Sequence, residues 1–346
     1  MNEPSPRSVA KLSSIDNADI LSFELYFLRQ FLNPFRLSWT LIRLGYEPLA
    51  PIPCTSPLVL LGWGSTFYVY PNIFRYVYHS IQTYGLWKVI STGVFASACM
   101  DFTSELFHRA FRRRSIIWQS AHDNSLDADD ADFLDSWGDN AADSFRVDAP
   151  FHAFQVESLM EEARPLTFFR MLVEAISLKS WEMVLTQPFF VVMVRQVAAL
   201  AGGETQYTWF PIAVRSVFRE SGFSGFFLGL FPRLLGELIS TAAYYSACRL
   251  FRHLVFGLHR KRSNSLNVLE LATYCGIRNC IYPLELTGCI MTVRHAKLAL
   301  ASEANSFSSW RQLCSYLTRS GQSSRGWFPF LRSHVQDKHL PLRSAP

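Results

Sequence analysis

A chain of 346 residues has room for one large domain or two small ones; 49% of it is hydrophobic, 15% aromatic and only 18% charged. A soluble globule usually carries about 25% charged residues, so this composition disfavours a soluble enzyme and favours a membrane protein with wetted helices. The net charge of +5 sits at the ends of apolar segments, as at Arg112, Arg113 and Arg114 and at Arg260, Lys261 and Arg262. That distribution suits helix ends at a membrane surface and argues against nucleic acid as a partner, because no compact basic stripe carries stacking aromatics. Seven cysteines without CxxC spacing argue against a disulfide framework and a zinc site. No basic-then-apolar leader precedes residue 20, so the expected membrane address is internal.

In chain order, residues 1–19 read as a mobile polar tail. The first long apolar segment, 20–46, is interrupted at Asn33-Pro34. A Pro-rich loop follows from Pro48 to Pro57. Phe74, Val77, Tyr78 and Ile81 recur at helical spacing and predict a short amphipathic helix over 71–85, ended by Gly85. Residues 88–111 form a second long segment with Asp101 and Glu105 inside it. The stretch 123–148 holds nine Asp and one Arg and reads as a solvated insert. Long apolar segments resume at 169–200, 222–250 and 266–297, with short amphipathic helices predicted at 209–222 and 307–321. After Gly326 only 20 residues remain, with Pro329, Pro341 and several charges among them. A bilayer core of about 30 Å needs roughly 20 mostly apolar residues per helix, so a sixth spanning helix is not expected there.

The stretch 222–250, GFSGFFLGLFPRLLGELISTAAYYSACRL, carries Arg233 and Glu237 at i and i+4. They share a helical face and are expected to pair, either as a static link or as part of a wet lining. Charges at that depth cost several kcal/mol unless they face a bundle interior or water.

Laid over one another, the segments form a threefold repeat. Each unit has a long helix broken by proline (Pro34, Pro188, Pro283), then an arginine (Arg43, Arg195, Arg294). Each then has a short amphipathic helix ending at glycine (Gly85, Gly222, Gly321). In the first two units a second long helix opens at Gly93 or Gly229, which sets Asp101 opposite Glu237. The expected units are 1–19 tail, 20–118 repeat 1, 119–168 acidic insert, 169–258 repeat 2, 264–332 truncated repeat 3 and 333–346 tail.

This pattern resembles the mitochondrial carrier repeat, an odd helix with P-x-[DE]-x-x-[KR], a surface helix and an even helix opening near glycine. The match is specific in ESGFSGFFLGLFPRLLGELIS and degraded elsewhere. The gate positions hold Arg36 and Trp39, Phe190 and Met193, and Glu285 and Gly288, so a carrier's salt-bridge gate cannot form. The divergent branch known as mitochondrial carrier homologues is the nearest resemblance, through LIRLGYEP, GFFLGLFPRLLGELIS and SGQSSRGWFPFLRS. The fold expected is an all-α membrane protein: a three-repeat bundle with about five spanning helices and short surface helices, the last helix of repeat 3 missing.

The resemblance implies the mitochondrial outer membrane, with the inner membrane as alternative. It also implies an insertase for tail-anchored and other α-helical membrane proteins, working through a laterally open polar groove. Implied partners are the lipid bilayer, client transmembrane helices, and soluble apoptosis- or metabolism-related proteins at the mitochondrial surface. Expected groove-lining residues are Asp101, Lys179, Glu182, Arg233, Glu237, Arg278 and Glu285. No catalytic constellation, cofactor site or metal site is expected: there is no GxSxG or P-loop, and no histidine has a metal partner at helical spacing. A solute carrier of unusual specificity and a non-transporting scaffold or receptor remain as alternatives.

Overall fold

The computed structural model describes residues 30–54, 67–122, 165–255, 264–328 and 332–333. The 1–19 tail, most of the acidic insert and the chain beyond Ser333 lie outside them, as do the side chains of both basic clusters. Among the described residues the first helix, α1, runs Asn33–Arg43. Two short helices follow, α2 (Ile73–Tyr84) and α3 (Leu86–Ser91), then the long α4 (Val94–His122). Repeat 2 supplies α5 (Pro165–Gly202), α6 (Phe210–Ser221) and α7 (Leu230–Val255). Repeat 3 supplies α8 (Asn264–Met291), a single turn α9 (Ser302–Asn305) and α10 (Trp310–Arg319).

The bundle is all-α in its architecture. Four long helices pack in series, α4 on α5, α5 on α7 and α7 on α8, while α1 packs on α2, α3 and α5. Phe168–Gly202 and Phe223–Phe251 are long and apolar enough to cross a membrane. The described helix within the first expected span, Asn33–Arg43, is shorter, 11 residues. One small sheet joins the loops. β1 (Ile52–Cys54) pairs antiparallel with β2 (Phe67–Tyr70), and β2 with β3 (Arg332–Ser333). Part of the Pro-rich stretch expected as loop is therefore strand, since short extended segments with β-branched and aromatic residues satisfy their backbone by pairing.

The three short helices lie at the expected positions, but in α2 the buried stripe is Ile73, Tyr76 and Val77, whereas Phe74 and Tyr78 of the expected apolar face are exposed. Ala213 and Val217 are buried in α6, Leu313 and Leu317 in α10. The stripes of α6 and α10 close over the main core, which Val192–Ala199 of α5 and Leu286–Val293 of α8 fill, while Tyr76 of α2 packs in a separate cluster with Leu37, Leu41 and Val89. A fully buried Val or Leu contributes about 1.5–3 kcal/mol, so the main core is firmly packed.

The prolines play two roles. Pro188 and Pro283 lie inside α5 and α8, as a kink requires. Pro34 instead stands in the first turn of α1, after a break at Leu32. There its missing N–H costs no intrahelical bond, so it starts a helix rather than bending one.

The residue before each proline reports the threefold symmetry. Asn33 Nδ2 donates to the carbonyl of Thr92 at 3.0 Å, Gln187 Nε2 to that of Leu228 at 2.8 Å, and the Tyr282 hydroxyl to that of Arg325 at 2.7 Å. Each acceptor immediately precedes a glycine with positive φ: Gly93 (77°), Gly229 (74°) and Gly326 (79°). Gly326 is thus the third opening glycine, beside the two the sequence reading aligned. After it Trp327 packs on Tyr282, with ring centroids 5.1 Å apart, and Arg332–Ser333 join the sheet. Among the described residues no long helix follows Gly326 as one follows Gly93 and Gly229.

Candidate functional site

The seven expected lining residues fall into four contacts. Gln30, which precedes α1 across the break at Leu32, donates through Nε2 to Asp101 Oδ2 of α4 at 3.2 Å. At α4–α5, Glu182 is almost fully buried and accepts from Ser104 Oγ at 2.6 Å and Lys179 Nζ at 3.2 Å. His108 Nε2 lies 3.5 Å from the same carboxylate. A buried ion pair held this way is costly to break singly, about 3–5 kcal/mol.

At α5–α7, Arg233 donates to Gln187 Oε1 and lies 3.8 Å over the ring of Phe190. The expected Arg233–Glu237 pair does not form. Glu237 is taken by Arg278 across the α7–α8 contact, Nη1 to Oε2 at 2.8 Å, and the other nitrogen of Arg278 reaches Glu285 at 2.8 Å. The bridged arrangement satisfies two carboxylates with one planar fork, which an i,i+4 pair on one helix cannot do. Tyr274 lies within electrostatic reach of Lys179 on one side and Glu237, Arg278 and Glu285 on the other.

Close helix approach sets the α7–α8 geometry. A Cβ on Gly229 would stand 2.1 Å from the carbonyl oxygen of Gly288, and one on Gly288 would stand 2.2 Å from Cγ of Arg233. Small residues at such crossings let backbones approach in lipid, and here they also give Arg233 its passage.

Exposure along α8 changes abruptly. From Leu271 to Cys280 every residue is exposed except Thr273, Ile277 and Arg278, which are partly covered. From Ile281 to Val293 none is exposed. The Glu237–Arg278–Glu285 bridge stands at this boundary, its side chains 15–22% exposed.

The covered end is held by arginines bonded to backbone carbonyls of other repeats. Arg195 is fully buried and donates to the carbonyls of Thr292 at 3.0 Å and Arg294 at 3.1 Å, and pairs with Glu220. Tyr207 completes this cluster by donating to Glu220. Burial and that bond push its hydroxyl above the ordinary tyrosine value, against the pull of Arg195. Arg325 donates through Nε and Nη2 to the carbonyl of Arg43 at 3.1 and 2.9 Å and reaches Glu303 at 3.0 Å. The sequence reading singled out Arg195 as a repeat residue without its partners. It missed Ser104, His108, Gln187, Tyr274, Tyr282 and Arg325; the residue before each proline was the signal that could have found Gln187 and Tyr282. Of the carrier gate positions that keep a charge, Arg36 bonds Asn33 and Ser97, and Glu285 is engaged by Arg278.

Residues 165–258 match the sequence profile of the family described as mitochondrial carrier protein. The chain is 30% identical to Mitochondrial carrier homolog 2 of Mus musculus over 152 residues, 43% of this chain and 50% of that protein. It is 28% identical to the Homo sapiens protein of the same name over the same lengths. It is 22% identical to Mitochondrial carrier homolog 1 of Mus musculus over 313 residues, 83% of this chain and 69% of that protein. The matched stretch thus spans about half the length of the homolog 2 relatives, 50%.

Proposed function

We propose, from its likeness to mitochondrial carrier homologues, that this chain is an insertase of the mitochondrial outer membrane. That likeness supports a mitochondrial membrane; the outer membrane, the insertase activity and tail-anchored clients are parts of the proposal. The observation that carries it is the change along α8. An ion bridge between α7 and α8 stands where α8 passes from fully covered to bare.

A polar segment of a client meets the bridge and water there instead of hydrocarbon, which lowers the several-kcal/mol cost of dehydrating it. Its apolar helix slides along the uncovered stretch 271–280 into lipid. No covalent step enters this scheme. Alternating solute access is disfavoured because the gate positions hold Trp39, Phe190, Met193 and Gly288, and the charges left are engaged within the bundle.

Purified protein in liposomes separates the readings. The insertase reading expects stimulated insertion of a tail-anchored substrate without saturable exchange of small solutes. Saturable exchange without stimulated insertion would establish the carrier reading instead. Recruitment of soluble proteins with neither activity would leave only a scaffold.

A further inference from the structure

Two guanidinium groups reach one face of α8 from different helices. Arg43, at the end of α1, lies 5.0 Å from the Trp39 ring centroid and 5.5 Å from that of Tyr282. Arg233, on α7, lies over Phe190 and enters past Gly288. Tyr282, Glu285 and Cys289 recur at i, i+3 and i+7, so they share that face. Cys289 is buried and lies within electrostatic reach of both arginines.

Neither guanidinium has a carboxylate within ion-pair distance among the described residues, and the Arg43 Nε is buried without a hydrogen-bond acceptor. The neighbouring acids, Glu237 and Glu285, are both held by Arg278. Set against these two carboxylates, Arg43, Arg233 and Arg278 leave one positive charge over. Both arginines are partly covered, and an anion between the two guanidiniums balances the remaining charge.

We propose that Arg43 and Arg233 together bind a singly charged phosphate group, from a soluble phosphate compound or a phospholipid headgroup. Guanidinium forks match phosphate edges bidentately. Two forks arriving from different helices suit a tetrahedral group, which offers edges in several directions; a planar carboxylate fills one fork with its single edge. Trp39, Tyr282 and Phe190 stack near the guanidiniums and fix their planes. The site is independent of the insertase reading.

Thermal unfolding of the purified protein in neutral maltoside detergent tests it. One arm titrates inorganic phosphate against chloride at matched ionic strength; the other titrates phosphatidylglycerol against phosphatidylcholine in mixed micelles. The expected result is a saturable rise in Tm in at least one arm. Its apparent affinity should fall at least tenfold in Arg43→Gln and in Arg233→Gln and stay unchanged in Arg215→Gln, an exposed arginine. Arg233→Lys, which keeps the charge but not the fork, should fall between wild type and Arg233→Gln and serves if Arg43→Gln does not fold. A rise with phosphate alone identifies a soluble ligand, and a rise with phosphatidylglycerol alone a headgroup. No rise in either arm, or an equal rise in Arg233→Gln, overturns the proposal.

Discussion

The hydroxyl of Tyr282 donates to the carbonyl oxygen of Arg325 at 2.7 Å, and this bond does in repeat 3 what Asn33 and Gln187 do in repeats 1 and 2. It ties an odd helix to the glycine at which an even helix would open. Tyr282→Phe keeps the ring packed on Trp327 and removes only the bond. Leaving the carbonyl unsatisfied costs about 1–3 kcal/mol, so Tm in detergent should fall by a few degrees. An unchanged Tm would mean that the link carries no stability.

Glu182 is the counter-charge for Lys179 in the α4–α5 contact. Glu182→Leu should destabilise by about 3–5 kcal/mol, because Lys179 and His108 lose the buried carboxylate they face. The double variant Lys179→Met, Glu182→Leu should recover most of that loss, since well-packed apolar replacements of a buried pair are often neutral. A double variant no better than the single one would contradict the pairing.

Gly288 tests the close approach of α7 and α8. Its added Cβ would meet the Arg233 Cγ at 2.2 Å, and overpacking of this kind costs about 1–3 kcal/mol. Gly288→Ala should therefore lower Tm, and Gly288→Ala in an Arg233→Ala background should lower it less. Equal losses in both backgrounds would show that the backbone contact with Gly229, rather than the arginine, sets the limit.

Arg278 should matter to activity more than its partners do singly. Arg278→Gln leaves two carboxylates, Glu237 and Glu285, without their shared cation. Insertion should drop at least tenfold, and Glu237→Gln should drop it less, because the Arg278–Glu285 pair survives. Measured insertion rates in liposomes at equal protein incorporation check the order.

Much of the fold was legible in the chain because helical periodicity and glycine stops are local signals. The helix expected over 71–85 spans Ile73–Tyr84, and that expected over 209–222 spans Phe210–Ser221. The charged residues were legible as lining candidates but not as partners. Arg233 and Glu237 looked paired because i,i+4 proximity is readable in sequence, whereas Glu237 and Arg278 meet only through the packing of α7 on α8. Likewise the three strands combine residues from 52 to 333, and such pairing is invisible to a local pattern. Gly326 was overlooked for another reason. Its repeat mates open long helices, whereas the apolar run after it, Trp327 to Leu331, is too short to span a bilayer.

The central claim is that the bare half of α8 is where a client helix leaves for the lipid. Photo-crosslinkers placed singly at Asn279 and Cys280, and at Trp181 and Leu250 as exposed positions on other helices, measure this during insertion of a tail-anchored substrate. The account predicts adducts with the client's transmembrane segment from 279 and 280 and at most background from 181 and 250. Equal adducts from all four positions, or adducts only from 181 and 250, would contradict it.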